Sequence, residues 1–369
     1  METNCSSRTS AARNHSRCVD VMWDADVNST LSTLEQYCVP FIAVSGVLGN
    51  LLAFAVFVRK PMRDNSSSFF LAARCLSDVG FLAVLLLIWV STVFELYLSR
   101  VLVVCKALIF LSYVFGCLSV WLVVFVTGEN YIRICKPFLV TTVCKTKHAK
   151  VMVILVLFVI TGSYSFPFWT MTENCVPFPV HFEFVAIMVY LDSVLTLVVP
   201  GFTIAGLLAA MAVSTFRACQ RRRRRSQSSM SKPANPTIKV TRMLFAVTLT
   251  FISLNLPSHI VRIQLMVSTI FKTNPVVSPA YSISQTVSLL LYYCSMSVNI
   301  FIYLLFGSRF RKTLKEIFYP KTLREHQFSQ SQERLRNVSV YGFGEINYGE
   351  TTEFLYQGSA LRYATSSQL

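Results

Sequence analysis

The sequence predicts an all-α membrane protein: a bundle of seven transmembrane helices with a short amphipathic helix after the seventh. Three observations predict it. Of 369 residues, 53% are hydrophobic and only 14% charged, and the mean hydropathy is +0.53; soluble domains carry roughly 25% charged residues. The apolar residues gather in seven runs, 39–59, 69–94, 103–134, 151–171, 184–213, 241–267 and 282–306, each long enough to cross about 30 Å of hydrocarbon as a helix. The net charge of +16 comes from basic residues standing between these runs, not along one folded face. A soluble globular protein is excluded, and so is a nucleic-acid partner.

Continuous apolarity argues for helices, because a barrel strand would alternate apolar and polar residues over about ten positions. The first run, Val39 to Val58, carries no charge at all. The links after runs one, three and five hold seventeen basic residues, among them Arg59, Lys60, Arg63, Arg133, Lys136, Lys145 and the block Arg221 to Arg225. The other three links hold Arg100, Lys272 and little else. Positive charge collects on the cytoplasmic side, so the amino end is expected outside and the carboxyl end inside, in the plasma membrane.

Residues 1–38 then form an extracellular, glycosylated segment, with Asn-x-Ser/Thr sequons at Asn4, Asn14 and Asn28. Met1-Glu2-Thr3-Asn4 lacks the charged start and apolar stretch of a cleaved signal peptide. Asn65 begins a fourth sequon on the inner side, where it should stay silent.

The eleven Cys cannot all pair internally. Cys105 at the start of run three and Cys175 in the fourth-to-fifth link stand at outer positions that a bridge can join in an oxidising exterior. Cys75, Cys117 and Cys294 lie inside runs and read as packing residues. Cys5, Cys18 and Cys38 are outside, with their pairing open. No His/Cys set has metal-site spacing, and no nucleophile–base pair suggests an enzyme.

Polar groups inside the runs cost several kcal/mol each and need a reason. Asn50, Asp78, Ser119 and Asn299 lie at matching mid-membrane depth. They can form a hydrogen-bonded packing knot or surround water or a sodium ion. Arg74, one helical turn before Asp78, can pair with it and replace that ion. Nearer the outer face are Glu95, Ser112, Asp192, His259, Arg262 and Gln285. The charged Asp192 and Arg262 are candidate walls of an outward-opening cavity; alternatively Arg262 snorkels to the headgroups and Asp192 is bonded locally.

These residues resemble the rhodopsin-type, class A G-protein-coupled receptors over about 39–319. Gly49-Asn50 and Ser77-Asp78 match the family's positions in its first two helices. Glu129-Asn130-Tyr131 follows Cys105 at the family's spacing and is itself followed by Ile132-Arg133-Ile134-Cys135-Lys136-Pro137. Pro167, Pro200 and Pro257 fall where the family kinks its helices. Asn299-Ile300-Phe301-Ile302-Tyr303, then Phe306 and Phe310-Arg311, match the end of the seventh helix and the one after it. The resemblance implies a receptor that binds an extracellular ligand and signals to a heterotrimeric G protein, with Glu129, Asn130, Tyr131, Arg133 and Tyr303 as the switch facing that partner.

The family's amine receptors carry Asp seven residues after the segment-three Cys; here it is Ser112. The run Leu254 to His259 and the Asn299-Ile300-Phe301 variant resemble invertebrate FMRFamide- and myosuppressin-like peptide receptors. An Arg-Phe-amide peptide would give Asp192 or Glu95 a guanidinium partner and the aromatic-rich mouth a ring to bury. Four switch positions depart from the family: its inner-motif Arg is Asn130, its segment-six Trp is Asn255, its segment-seven Pro is Ile300, and its segment-five Tyr is Leu208. These departures motivate a second reading, a receptor that captures its ligand without signalling or recruits only arrestin. A transporter or channel is the remote alternative, and the halves show no internal repeat.

On the inner side, the five-arginine block serves as a topogenic stop signal or lies on anionic lipid. Phe306, Phe310, Leu314 and Phe318 recur every four residues with basic residues between them, an interfacial helix over 307–319. Residues 320–369 lose apolar periodicity and read as a disordered tail. The tail offers hydroxyls from Ser329 to Ser367 for phosphorylation and arrestin recruitment. Ser367-Gln368-Leu369 fits the strand-addition groove of a PDZ domain.

Overall fold

The apolar runs form helices whose ends follow from local chemistry. The structure, a computed structural model, describes residues 11–60, 62–96, 102–172, 176–225, 236–270 and 279–318. Helix α1 is Ala11–Phe57 and is apolar enough to span from Ser29 onward. Helix α2 is Ser66–Val93, entered from Asn65 in extended conformation. It ends just before Glu95, whose φ of 50° is left-handed and cannot continue a helix. Helix α3 is Leu102–Cys135 and α4 is Thr146–Ser163. The chain breaks after α4 and restarts as one turn, Pro167–Thr170, with Pro167 at the first position, where its missing N–H costs no bond.

Helix α5 runs in three pieces: Phe182–Ser193, a π turn at Val194–Val198, and Val199–Arg225. Pro200 has no N–H for the carbonyl four residues earlier, and the ladder widens immediately before it. Helix α6 is Pro236–Ile270, with Pro257 inside it. Helix α7 has two pieces, Pro279–Ser297 and Asn299–Phe306, bent by 48°. That bend survives although Ile300 stands where the family has proline. Ser297 Oγ donates to the carbonyls of Ile42 and Tyr293, and Asn299 Nδ2 to that of Met296, so side chains compete with the ladder here. Helix α8 is Ser308–Phe318.

Five helices among the described residues are long and apolar enough to cross a membrane. The bent α7 makes a sixth, and α6 carries the shorter apolar stretch Phe245–Val261. Only 22% to 56% of each of the five apolar windows is buried. Phe41, Phe158, Phe202 and Phe301 point outward and exposed, as expected where hydrocarbon is the solvent. Inside, α3, α5 and α6 meet in a cluster of Val120, Val123, Val124, Ile204 and Phe251. Helix α1 packs closely on α7: a Cβ at Gly46 would lie 2.3 Å from Ser297 Oγ, and one at Gly49 2.9 Å from Ile300 Cγ2. Phe310 of α8 is fully buried against Phe57 and Tyr303, at 5.4 Å from each ring. The chain divides into one unit through Leu314 and a second from Lys315, of which Lys315 to Phe318 is described.

Candidate functional site

Three tiers of polar residues run through the bundle. The first lies at the end away from the basic links, in a cavity of about 350 Å³ enclosed by α2, α3, α5, α6 and α7. Ser112, Asp192 and His259 line it, with Phe81, Tyr113 and Tyr292. Asp192 is buried and accepts a 2.7 Å hydrogen bond from the Tyr164 hydroxyl. The Tyr164 ring lies nearly parallel to that of Tyr113, centroids 5.2 Å apart at 7°. Ser112 donates to the Leu108 carbonyl at 2.8 Å, so its hydroxyl hydrogen is used within its own helix. The carboxylate is therefore the principal charged group on this wall, and aromatic rings surround it.

Two other polar residues expected near the outer face do not join this cavity. Glu95 sits exposed at the left-handed end of α2, and Gln285 is exposed on α7; neither lines the cavity. The side chain of Arg262 lies outside the described residues.

A second cavity of about 410 Å³ adjoins the first and shares Leu85, Ile88, Leu289 and Tyr293 with it. Its acidic group is Glu35 of α1, which accepts a 3.1 Å hydrogen bond from Thr286. Trp89 lines it too and donates to the Gln36 carbonyl at 2.9 Å. Sequence reading passed over Glu35 and Tyr164. Glu35 falls one turn before the first apolar run, and Tyr164 three residues before Pro167, so each had a positional signal.

The middle tier centres on Asp78, which is wholly buried. Ser119 Oγ donates to its Oδ1 at 2.5 Å and Asn299 Nδ2 to its Oδ2 at 2.8 Å. The Arg74 guanidinium lies beside it, Nε 3.7 Å from Oδ2. Asn50 does not join this group. Its amide donates to the carbonyls of Gly46 and Met296, at 2.9 and 2.8 Å, and so ties α1 to α7 backbone. A sodium ion fits these residues poorly, because the Arg74 guanidinium already supplies the charge that balances Asp78 and a second cation beside it would stand uncompensated. Among the described residues no group of three His, Cys, Asp or Glu is arranged to hold a metal.

The third tier faces the basic end. Glu129 is buried; Ser67 donates a short hydrogen bond to its Oε2, and Arg133, one turn on, donates to the same oxygen at 3.4 Å. Asn130 is fully buried, and neither amide atom has a hydrogen-bond partner among the described residues. Tyr131 is half-buried. Tyr303 is engaged edge-on with Phe57, centroids 5.0 Å apart at 86°. Thr127 and Thr248, 3.1 Å apart, join α3 to α6 above this tier.

Cys105 is disulfide-bonded, while Cys175 lies outside the described residues. Met171 and Pro177 pair in a bridge that folds the fourth-to-fifth link back on itself. Asn4, the side chains of Asn14 and Asn28, and the tail with Ser367 to Leu369 lie outside the described residues.

Comparison with known proteins gives two findings. The model of the rhodopsin family of seven-transmembrane receptors matches residues 49–303. A Drosophila melanogaster protein named FMRFamide receptor is 24% identical over 343 residues, covering 86% of this chain. The chain spans 59% of that relative's length.

Proposed function

The chain belongs to the rhodopsin family of seven-transmembrane receptors, a multi-pass membrane receptor and not an enzyme, and from that premise we propose that its extracellular ligand is a neuropeptide. The observation that carries the reading is the buried Asp192 carboxylate in an aromatic-walled cavity that shares wall residues with a second cavity lined by Glu35. A small amine would fill only the first. A peptide ending in Arg-Phe-amide sets its guanidinium against Asp192 and its ring among Phe81, Tyr113 and Tyr292. Its amino-terminal ammonium then reaches toward Glu35. The distant likeness to a protein named FMRFamide receptor supports the same ligand class.

In this reading the protein lies in the plasma membrane with residues 1–38 outside and glycosylated at Asn4, Asn14 and Asn28, and 320–369 inside. The Cys105–Cys175 bridge shapes the mouth. Ligand binding favours a bundle arrangement whose inner crevice accepts a G protein, a population shift by differential affinity. Glu129, Asn130, Tyr131, Arg133 and Tyr303 line the partner's side, and the tail recruits arrestin and a PDZ domain at Ser367 to Leu369.

The test is a G-protein activation assay in cells against a library of amidated neuropeptides, FMRFamide included, with arrestin recruitment and surface binding recorded in parallel. Activation by a basic amidated peptide, weakened in Asp192→Asn, supports the reading. Surface expression with no peptide binding overturns it. The uncharged, buried Asn130 favours one second reading, a ligand-capturing or arrestin-biased receptor. Binding and internalisation without G-protein activation, with activation gained in Asn130→Arg, would establish that one.

A further inference from the structure

Among the described residues, Arg74 is a wholly buried arginine inside a membrane-spanning helix. Its side chain is 1% exposed, and among the described residues its Nε and Nη1 have no hydrogen-bond partner. An arginine buried with unfilled donors is retained at a cost, so its placement calls for a role. Two of its contacts among the described residues bear on that role. Its Nε stands 3.7 Å from Asp78 Oδ2, in an ion pair within α2. Its guanidinium carbon lies 5.7 Å from the centre of the Phe251 ring, on α6. A guanidinium over an aromatic face is attracted by the ring's quadrupole, most strongly where water is excluded.

We infer that Arg74 is a built-in cation that holds the place of an exchangeable sodium ion at Asp78 and also latches the sixth helix through Phe251. The charge argument gives the first half. Asp78 and Arg74 balance each other in a buried site, and a further cation would leave one positive charge uncompensated. Ser119 and Asn299 each donate to one Asp78 oxygen, so the carboxylate is held in place beside Arg74 by neutral donors from α3 and α7. The second half follows from where Phe251 sits. It belongs to the cluster joining α3, α5 and α6, so Arg74 links α2 to the element that closes this cluster. A free ion dissociates when the bundle rearranges, whereas a tethered one can only change partners. Arg74 is a positioning residue in this scheme and touches no ligand.

The test uses purified full-length receptor without ligand, melted in sodium chloride and in choline chloride at about 0.15 M. Wild type is expected to melt at the same temperature in both salts. Arg74→Leu leaves Asp78 without its cation and is expected to melt several degrees higher in sodium than in choline, or to be recovered folded only in sodium. Arg74→Lys keeps the charge and is expected to remain indifferent to sodium. Phe251→Leu keeps the ion pair but removes the ring. It too should ignore sodium, while amide hydrogen exchange over 245–252 quickens at least threefold, a free-energy change of the size expected for one lost cation–π contact.

A sodium-dependent shift in wild type or in Arg74→Lys overturns the substitution for sodium. So does a folded Arg74→Leu that melts alike in both salts. If Arg74→Leu cannot be recovered in either salt, wild type and Arg74→Lys decide. Unchanged exchange in Phe251→Leu overturns the latch. None of these readouts depends on a ligand or on coupling, so they stand apart from the test of the peptide reading.

Discussion

Tyr164 donates its phenolic hydrogen to Asp192 Oδ1 across 2.7 Å, joining the segment after α4 to the first piece of α5 at the wall of the aromatic-lined cavity. The bond orients the carboxylate, and the flat contact of the Tyr164 ring on Tyr113 extends the same brace to α3. Replacing Tyr164 by Phe keeps the ring contact and removes the donor. A buried acceptor that loses a partner costs about 1–3 kcal/mol, so Tyr164→Phe is expected to lower the melting temperature of the purified receptor by several degrees. An unchanged melting curve would show that the hydroxyl does not support Asp192.

The two carboxylates near the mouth differ in burial, and their neutral isosteres should differ accordingly. Asp192→Asn removes a charge from a closed aromatic site, and affinity for a basic amidated peptide should fall about ten- to hundredfold. Glu35 is half-exposed, so Glu35→Gln should cost only about three- to tenfold. Competition binding with an analogue carrying citrulline for arginine separates the two. The analogue should bind wild type and Asp192→Asn alike while still losing affinity in Glu35→Gln.

Glycines at close approaches should not tolerate side chains, and those in open space should. A Cβ at Gly46 would meet Ser297 Oγ at 2.3 Å and Leu82 Cδ1 at 2.6 Å, whereas nothing lies within 4 Å of one at Gly128. Gly46→Val is expected to destabilise by at least about 1–3 kcal/mol through overpacking. Gly128→Ala should be neutral or stabilise by up to about 1 kcal/mol through helix propensity. Thermal melting in detergent compares the pair directly.

Cys144 lies between α3 and α4, outside the spans, and is a free thiol. Burial chiefly pushes its pKa up; the Glu129 carboxylate adds to this and Arg133 opposes it. A raised thiol pKa means less thiolate at neutral pH, so alkylation of Cys144 should set in at higher pH than for an exposed peptide thiol. Glu129→Gln removes one raising charge and should move the onset down. Peptide-level mass spectrometry after iodoacetamide labelling across a pH series reads both shifts; an onset that Glu129→Gln leaves in place would contradict the electrostatic contribution.

Much of the site was legible as residue types at particular depths. Asp78, Ser119 and Asn299 are polar groups in apolar runs, and the cost of stranding them forces them together. Asn50 carries the same signal, yet it bonds the backbone carbonyls of Gly46 and Met296. Depth alone cannot say whether a buried amide faces a carboxylate or a neighbouring helix. Glu95 and Gln285 are polar residues near the cavity's end of the bundle, yet both are exposed and neither lines the cavity: Glu95 stands in left-handed conformation just past α2, and Gln285 is on another face of α7.

The linear order of residues is enough to show that this protein crosses the membrane as helices, where its basic links fall and which family it belongs to. Hydrocarbon demands long apolar runs and satisfied backbones, and both are written in linear order. Only the tertiary structure decided that Asp192 is braced by Tyr164, that Glu35 opens a second chamber and that Arg74 reaches across to Phe251. Those contacts join residues 28 positions apart (Tyr164 to Asp192), 177 apart (Arg74 to Phe251) and 251 apart (Glu35 to Thr286), and depend on the rotation of each helix about its axis. Rotation is set by packing at close approaches such as Gly46 on Ser297, a property of the assembled bundle and not of any one run.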